Sequence, residues 1–156
     1  MIQNRDNELI VLLHSECELL DAAVNTLLRS VEKCNTIGIK RVYTFEEQES
    51  FDSLSSKFNR TSDLFTQKVL RTSWMLLHEP FVPFIDLMNT CEKMGIIIDA
   101  NQMITIRDLR NQIAHQYIPE ALFDLIPEVI EFTQLLVDNI ITSKQFISKR
   151  KWLIIE

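Results

Sequence analysis

The sequence contains very little glycine and proline: two glycines and four prolines in 156 residues. Tight β-hairpins, glycine-rich phosphate loops and dinucleotide-binding fingerprints all depend on glycine. This scarcity argues against a hairpin-rich β fold and against the common nucleotide-binding loops. The long segments that remain uninterrupted by these residues favour an all-α protein.

Cysteine is also scarce and shows no paired spacing. The three cysteines, Cys17, Cys34 and Cys91, form no Cys-x-x-Cys motif, and their odd number fits a reducing compartment. The polar start of the chain is unlike a signal peptide, and no apolar run approaches the roughly 18 residues of a membrane span. We therefore expect a cytoplasmic protein with no part in the membrane.

Patterns that bind metals or cofactors are missing as well. The three histidines, His14, His78 and His115, lie far apart, and none has the spacing to cysteine that a zinc site requires. There is no HExxH motif and no nucleophile elbow. The sequence therefore predicts neither a bound metal nor a cofactor.

The net charge of the chain is −6, whereas a simple nucleic-acid-binding domain is usually basic. Contact with RNA would therefore require a local basic patch. One candidate is a stripe on the second predicted helix, where helical spacing places four basic residues within about 80° of one another. These residues are Lys57, Arg60, Lys68 and Arg71. The alternative interpretation is an ordinary solvated helix face.

Apolar residues at helical spacing predict a single all-α domain, an up-and-down bundle of four or five helices. The domain spans residues 1–156, with a core of about 5–146 and a basic tail over 147–156. The predicted helices cover about 7–35, 44–78, 82–94, a segment after Asp99, and about 119–146. Gly38 and Gly95 are expected to end helices, and Thr44 and Asp99 are expected to be N-caps. Pro119 is expected to break the helix that carries the preceding residues.

Three local features refine this prediction. Residues 59–62 are poor in helix formers, so the long second helix is expected to bend there. Residues 96–98 are three isoleucines, which we interpret as a buried connector. The last helix is apolar over roughly half its circumference, which indicates extra burial, either at the centre of the bundle or against a second subunit.

The segment from Arg110 to Tyr117 combines groups that can bind a phosphate and move a proton. It continues an amphipathic helix whose apolar stripe is Ile106, Leu109, Ile113 and Tyr117. His115 falls roughly 180° from Ile106 on the helical wheel, and Asn111 shares its face. Arg110 lies between the two faces, within reach of the histidine. The alternative for a lone histidine on such a face is plain solvent exposure.

The pattern Arg110-x4-His115-x-Tyr117, with Asn111 after the arginine, resembles the signature of HEPN domains. It is most similar to the HepT-type toxins, which are paired with a minimal nucleotidyltransferase antitoxin. The resemblance extends over about residues 5–146, although only the motif itself is specific. It implies a helical bundle of the HEPN type, in agreement with the fold predicted from the apolar pattern.

The resemblance also implies a function. Such proteins are metal-independent endoribonucleases that use a composite site between two subunits, so it implies RNA as substrate and a homodimer. Arg110 and His115 would be catalytic, with Asn111 in support. Tyr117 would be the residue that the nucleotidyltransferase antitoxin adenylylates, although its helical phase favours packing. The alternative function is a non-catalytic helical module that binds a nucleotidyltransferase partner or a nucleotide.

Overall fold

The computed structural model describes residues 2–150 and 152, and in this part of the chain all regular structure is helical. The prediction of an all-α bundle is confirmed. The elements in chain order are α1 (Ile2–Ile37), α2 (Phe45–Asp63), a π-helical segment (Leu64–Val69), α3 (Leu70–Leu76), α4 (Phe84–Lys93), α5 (Ala100–His115), α6 (Pro119–Asp124) and α7 (Ile126–Lys149).

The helix ends follow local chemistry. Gly38 and Gly95 adopt positive φ angles of 72° and 76°, which glycine reaches without steric cost, and they follow the ends of α1 and α4. The Thr44 hydroxyl accepts a hydrogen bond from the backbone N–H of Glu47, whose carboxylate accepts one from the N–H of Thr44. This reciprocal pair is a capping box, and it fixes the start of α2.

The last predicted helix is divided into two, α6 and α7. Pro119 starts α6 as expected, but Pro127 also lies in the first turn of α7. Proline has no N–H and its ring clashes with the carbonyl four residues earlier, so one regular helix cannot run through this point. The chain therefore ends α6 at Asp124 and begins α7 at Ile126.

The helix α2, the π-helical segment and α3 form one continuous rod, which we call the second rod. The core lies between this rod and the helices α1, α5 and α7. Six apolar residues form a stripe at helical spacing along the second predicted helix, and all are buried: Phe51, Leu54, Phe58, Phe65, Val69 and Leu76. The wide apolar face of α7 is also largely covered within the chain, although Ile141 remains 49% exposed. Of the two explanations for that width, the structure shows burial within the bundle.

Small hydroxyl residues fill part of the interior of the second rod. Five of them donate a hydrogen bond to the carbonyl oxygen four residues earlier: Ser50, Ser55, Thr61, Thr66 and Ser73. Each hydroxyl is thereby satisfied without a partner from another helix. Such bonds draw the carbonyl outward and bend helices, which accords with an irregularity in this rod.

That irregularity is the π-helical segment Leu64–Val69, slightly after the residues where a bend was expected. Hydrogen bonds between residues i and i+5 close a stretch one residue longer than the i to i+4 bonds of an α-helix, so the segment accommodates about one extra residue. Residues after it are therefore rotated by roughly 100° relative to a uniform α-helix. The prediction that Lys57 and Arg60 align with Lys68 and Arg71 assumed a uniform α-helix. The π-helical segment interrupts that helix, so this assumption does not hold.

Two further predictions concern the connector and the tail. Ile96 and Ile97 are buried as expected, whereas Ile98 is half exposed. The basic tail begins inside α7, which extends to Lys149, and the Arg150 guanidinium lies 4.9 Å from the centre of the Phe146 ring. Lys151 and residues 153–156 lie outside the described residues.

Candidate functional site

The helix that carries the motif, α5, is fixed at its start by side-chain hydrogen bonds. The Asp99 carboxylate accepts a hydrogen bond from the N–H of Gln102 at 3.1 Å, as the cap prediction required. The Gln102 side chain does not complete a capping box; it accepts a hydrogen bond from Asn139 of α7 instead. The Asn139 oxygen also accepts from the N–H groups of Ile98 and Asp99, at 2.9 and 3.3 Å. The fully buried Asn139 thus ties α5 to α7.

The opposite end of α5 exposes the histidine. His115 is the last residue of the helix and is exposed, in agreement with the predicted outward face. Gln116 has an extended conformation, with ψ at 116°, so the helical phase does not continue to Tyr117. The packing role inferred from that phase is wrong, because Tyr117 is 88% exposed. Its hydroxyl is therefore accessible to a partner.

Arg110 forms a two-point ion pair with an acid of the second rod. Its Nε and one terminal nitrogen each donate to a different carboxylate oxygen of Asp63, both at 2.9 Å. This pairing raises the pKa of Arg110, which stays charged in any case. The arginine does not turn toward the histidine as the sequence interpretation allowed. Two of its five N–H donors are used by Asp63, which leaves three for another ligand.

The paired arginine lines a cavity of about 320 Å³ between the second rod, α4 and α5. We call it the arginine cavity. It is lined by Ser62, Asp63, Thr66, Gln67, Arg71, Phe84, Arg107, Arg110 and Asn111. Three arginines and one aspartate give it a local charge of +2, in a chain whose net charge is −6.

The other two arginines of the cavity are held against aromatic rings. The Arg107 guanidinium lies 4.3 Å from the centre of the Phe84 ring, and that of Arg71 lies 4.8 Å from the centre of Phe81. Arg71 also donates one hydrogen bond to the carbonyl of Val82 at 2.7 Å. Both guanidiniums are thus positioned by contacts that leave most of their N–H donors available.

The π-helical segment determines which residues of the second rod reach this cavity. Asp63 and Arg71 are eight residues apart, which in a uniform α-helix would place them about 80° apart around the axis. The extra residue in the π-helical segment brings them within roughly 20° of one another. Both side chains accordingly line the arginine cavity.

The four residues of the predicted basic stripe are distributed over different surroundings. Arg71 lines the arginine cavity, whereas Lys57 lines a separate groove with Arg29 and Lys33 of α1. Arg60 and Lys68 are exposed. Of the motif residues, Arg110 and Asn111 line the arginine cavity, and neither His115 nor Tyr117 is among its lining residues.

Sequence reasoning missed three residues that shape this site. Arg107 was detectable, because it lies three residues before Arg110 and shares its helix face. Asp63 and Asn139 gave no such signal, since each meets α5 only through the folding of distant segments. Their roles follow from tertiary packing rather than from any local pattern.

The other possible sites contain fewer side chains that could take part in catalysis or bind a metal. One cavity of about 600 Å³ lies between the end of α1 and α6, and it is lined largely by apolar groups such as Tyr43, Phe51 and Phe123. Within residues 2–150 and 152, no group of three or more His, Cys, Asp or Glu side chains is arranged to bind a metal. In that same part of the chain, no helix has both the length and the apolar character needed to cross a membrane.

The comparisons with known proteins returned no relative. No family model matches the sequence, and neither the curated proteins nor the solved structures include a significant match.

Proposed function

We propose that this protein is a metal-independent endoribonuclease, the toxin of a toxin–antitoxin pair in which a nucleotidyltransferase is the antitoxin. The proposal rests on the resemblance of the motif to HepT-type HEPN domains. One observation supports it most: the motif lies on a firmly anchored helix that ends with an exposed His115, while Arg110 lines a positively charged cavity on the same helix. A cation and a proton carrier on one helix suit phosphodiester cleavage.

The reaction requires a base, an acid and a cation. The ribose 2′-oxygen attacks the adjacent phosphorus, its proton passes to neutral His115, and the bond from phosphorus to the 5′-oxygen breaks. A proton donor then protonates the leaving oxygen, which yields a 2′,3′-cyclic phosphate and a free 5′-hydroxyl. Arg110 stabilises the negative charge that develops on phosphorus-bound oxygens. General-base assistance of this kind is typically worth about 10²–10⁴-fold in rate.

A single histidine cannot act as base and acid in the same step. A symmetric dimer would bring a second His115 and a second Arg110 to one cleft. The exposure of His115 at the end of α5 is compatible with this arrangement. The apolar face of α7 is largely used within the chain, so the dimer contact belongs to another surface.

Regulation by a nucleotidyltransferase antitoxin requires an accessible side chain that accepts the adenylyl group. Tyr117 is 88% exposed and lies two residues beyond His115. In the proposed reaction its hydroxyl oxygen attacks the α-phosphorus of ATP in the partner enzyme, and pyrophosphate leaves. The attached adenylate carries a negative charge beside His115 and would repel substrate phosphate.

The decisive experiment measures cleavage of labelled RNA in EDTA by the wild type, His115→Ala and Arg110→Ala, together with thermal melts. We expect both variants to lose cleavage by at least a hundredfold. His115→Ala should keep its melting temperature because the side chain is exposed. Full activity of His115→Ala would refute the proposal, and light scattering that shows a monomer would refute the composite site.

The second candidate is a non-catalytic helical module that binds a nucleotidyltransferase or a nucleotide. The ion pair between Arg110 and Asp63 favours it, because a neutralised arginine attracts phosphate less strongly than a free one. The two functions differ in a direct assay. A binding module would bind the partner through the surface around Tyr117 while leaving RNA intact, and His115→Ala would then have no effect on any activity.

A further inference from the structure

The arginine cavity has a feature that the motif does not explain. Arg71 and Arg107 come from different helices, neither belongs to the motif, and both line the same cavity as Arg110. Among the described residues, the one ion pair in this cavity is Arg110 with Asp63; Arg71 and Arg107 instead contact aromatic rings. Two positive charges therefore remain available to an anion.

The geometry points to a subsite in which Arg71 and Arg107 bind a backbone phosphate of single-stranded RNA, while a neighbouring base stacks on Phe81. This inference rests on the proposed function, since it supplies the path by which substrate would reach Arg110. Phe81 is 81% exposed and lies directly beside the Arg71 guanidinium. Proteins that bind single strands combine cationic grooves with exposed aromatic rings in this way.

The two arginines are prepared for this role by their surroundings. Arg107 lies against Phe84, a partly buried ring that packs on the core, so its position is supported by a fixed surface. The carbonyl of Val82 occupies a single N–H donor of Arg71. A guanidinium held in one orientation loses less conformational freedom when it binds a phosphate, because it is already positioned.

The remaining lining also suits a nucleotide. Asn111 and Gln67 contribute amide groups that can both donate and accept hydrogen bonds. Such groups can read the edges of bases that a single strand exposes. A volume of about 320 Å³ accommodates a phosphate and its sugar, and the base would then lie outside against Phe81. A regular RNA duplex keeps its bases stacked inside, so it would not make this contact.

The test uses an RNA of about 12 nucleotides whose riboses carry 2′-O-methyl groups, so that binding is measured without cleavage. Fluorescence anisotropy gives its Kd for the wild type, Arg107→Gln and Phe81→Ala at several salt concentrations. Arg29→Gln and Phe45→Ala serve as matched controls, since both residues are exposed and lie outside the arginine cavity. Thermal melts confirm that each variant folds.

We expect Arg107→Gln to weaken binding about tenfold and to lower the slope of log K against log salt by about 0.7, the value for one phosphate contact. Phe81→Ala should weaken binding about fivefold or more with little change in slope. The controls should stay within about twofold of the wild type. A duplex of the same sequence should bind more weakly and be insensitive to Phe81→Ala.

Three results would overturn the inference: equal losses in test and control variants, no loss in either test variant, or no binding by the wild type. The outcome for the proposed function is separate. Normal cleavage of unmodified RNA by the wild type, together with unaltered binding by Arg107→Gln, would refute this subsite and leave the ribonuclease intact. Binding that depends on Arg107 and Phe81 without any cleavage would support the subsite and refute the catalytic function.

Discussion

Arg110 of the motif helix and Asp63 of the second rod are joined by two hydrogen bonds of 2.9 Å, one to each carboxylate oxygen. The arginine that would bind phosphate is therefore held in place by an anion that also opposes phosphate binding. Asp63 thus has two opposite effects on phosphate binding: it positions the Arg110 guanidinium, and its negative charge opposes the phosphate. Replacing the carboxylate with an amide of the same shape removes the charge and so separates the two effects.

Asp63→Asn should tighten binding of the uncleavable RNA about threefold to tenfold, because it removes a negative charge beside the cavity. The side chains of the pair are 29% and 33% exposed, so the free energy of unfolding should fall by less than about 1 kcal/mol. Asp52→Asn, an exposed acid elsewhere on α2, is the control. Weaker binding by Asp63→Asn would show that positioning outweighs charge.

Tyr117→Phe should prevent adenylylation by the partner nucleotidyltransferase while RNA cleavage and melting temperature stay unchanged, because only an exposed hydroxyl is lost. The chain has two tyrosines, so Tyr43→Phe is a matched control that should still be modified. Transfer of label from ATP and intact mass measure the result. Label on Tyr117→Phe would place the modification elsewhere.

Much of the fold was predictable because its signals are local. The stripe from Phe51 to Leu76 and the caps at Thr44 and Asp99 depend on residues within one or two turns of each other. Tyr117 was misplaced because the helix ends at His115, and the helical phase has no meaning beyond that point. Pro119 marked a break close to this point, but the sequence did not show that the helix already ends before Gln116.

The site was less predictable because it joins segments that are distant in sequence. The motif located Arg110, Asn111 and His115, whereas Asp63 lies 47 residues before Arg110 and meets it only in the folded chain. The π-helical segment likewise has no residue signature, although it determines where Arg71 lies. The net charge of −6 describes the whole chain, so it gave no indication of the local excess of positive charge in the arginine cavity.

Asn139→Leu should lower the free energy of unfolding by about 2–4 kcal/mol, since it removes the acceptor for two backbone N–H groups before α5. Gln134→Leu, on the exposed face of α7, should change it by less than about 0.5 kcal/mol. Urea denaturation measures both. Amide hydrogen exchange should also quicken at the start of α5 in Asn139→Leu, and uniform exchange rates would contradict the proposed anchoring.

The three thiols should resist alkylation in the folded protein. Burial raises the pKa of Cys17 to about 11 and that of Cys91 to about 12, and it also raises the pKa of Cys34. A raised pKa favours the neutral thiol, so at pH 8 the reactive thiolate of Cys17 is about a hundredfold rarer than in a free thiol of pKa 9.0. Iodoacetamide labelling should be slow, and denaturant should restore it. Rapid labelling before unfolding would mean that the thiols are accessible.

The π-helical segment gives the second rod a defined tolerance to changes in chain length. Deleting Gln67, an exposed residue within it, should convert the segment to a regular α-helix while Asp63 and Arg71 keep the same face, because seven residues span nearly two α-helical turns. Deleting the exposed Ser56 of α2 instead rotates the residues on either side of it by about 100° and misaligns the core. The melting temperature should be kept after the first deletion and should fall sharply after the second. In this rod, a one-codon deletion is then harmless or disruptive according to its position alone.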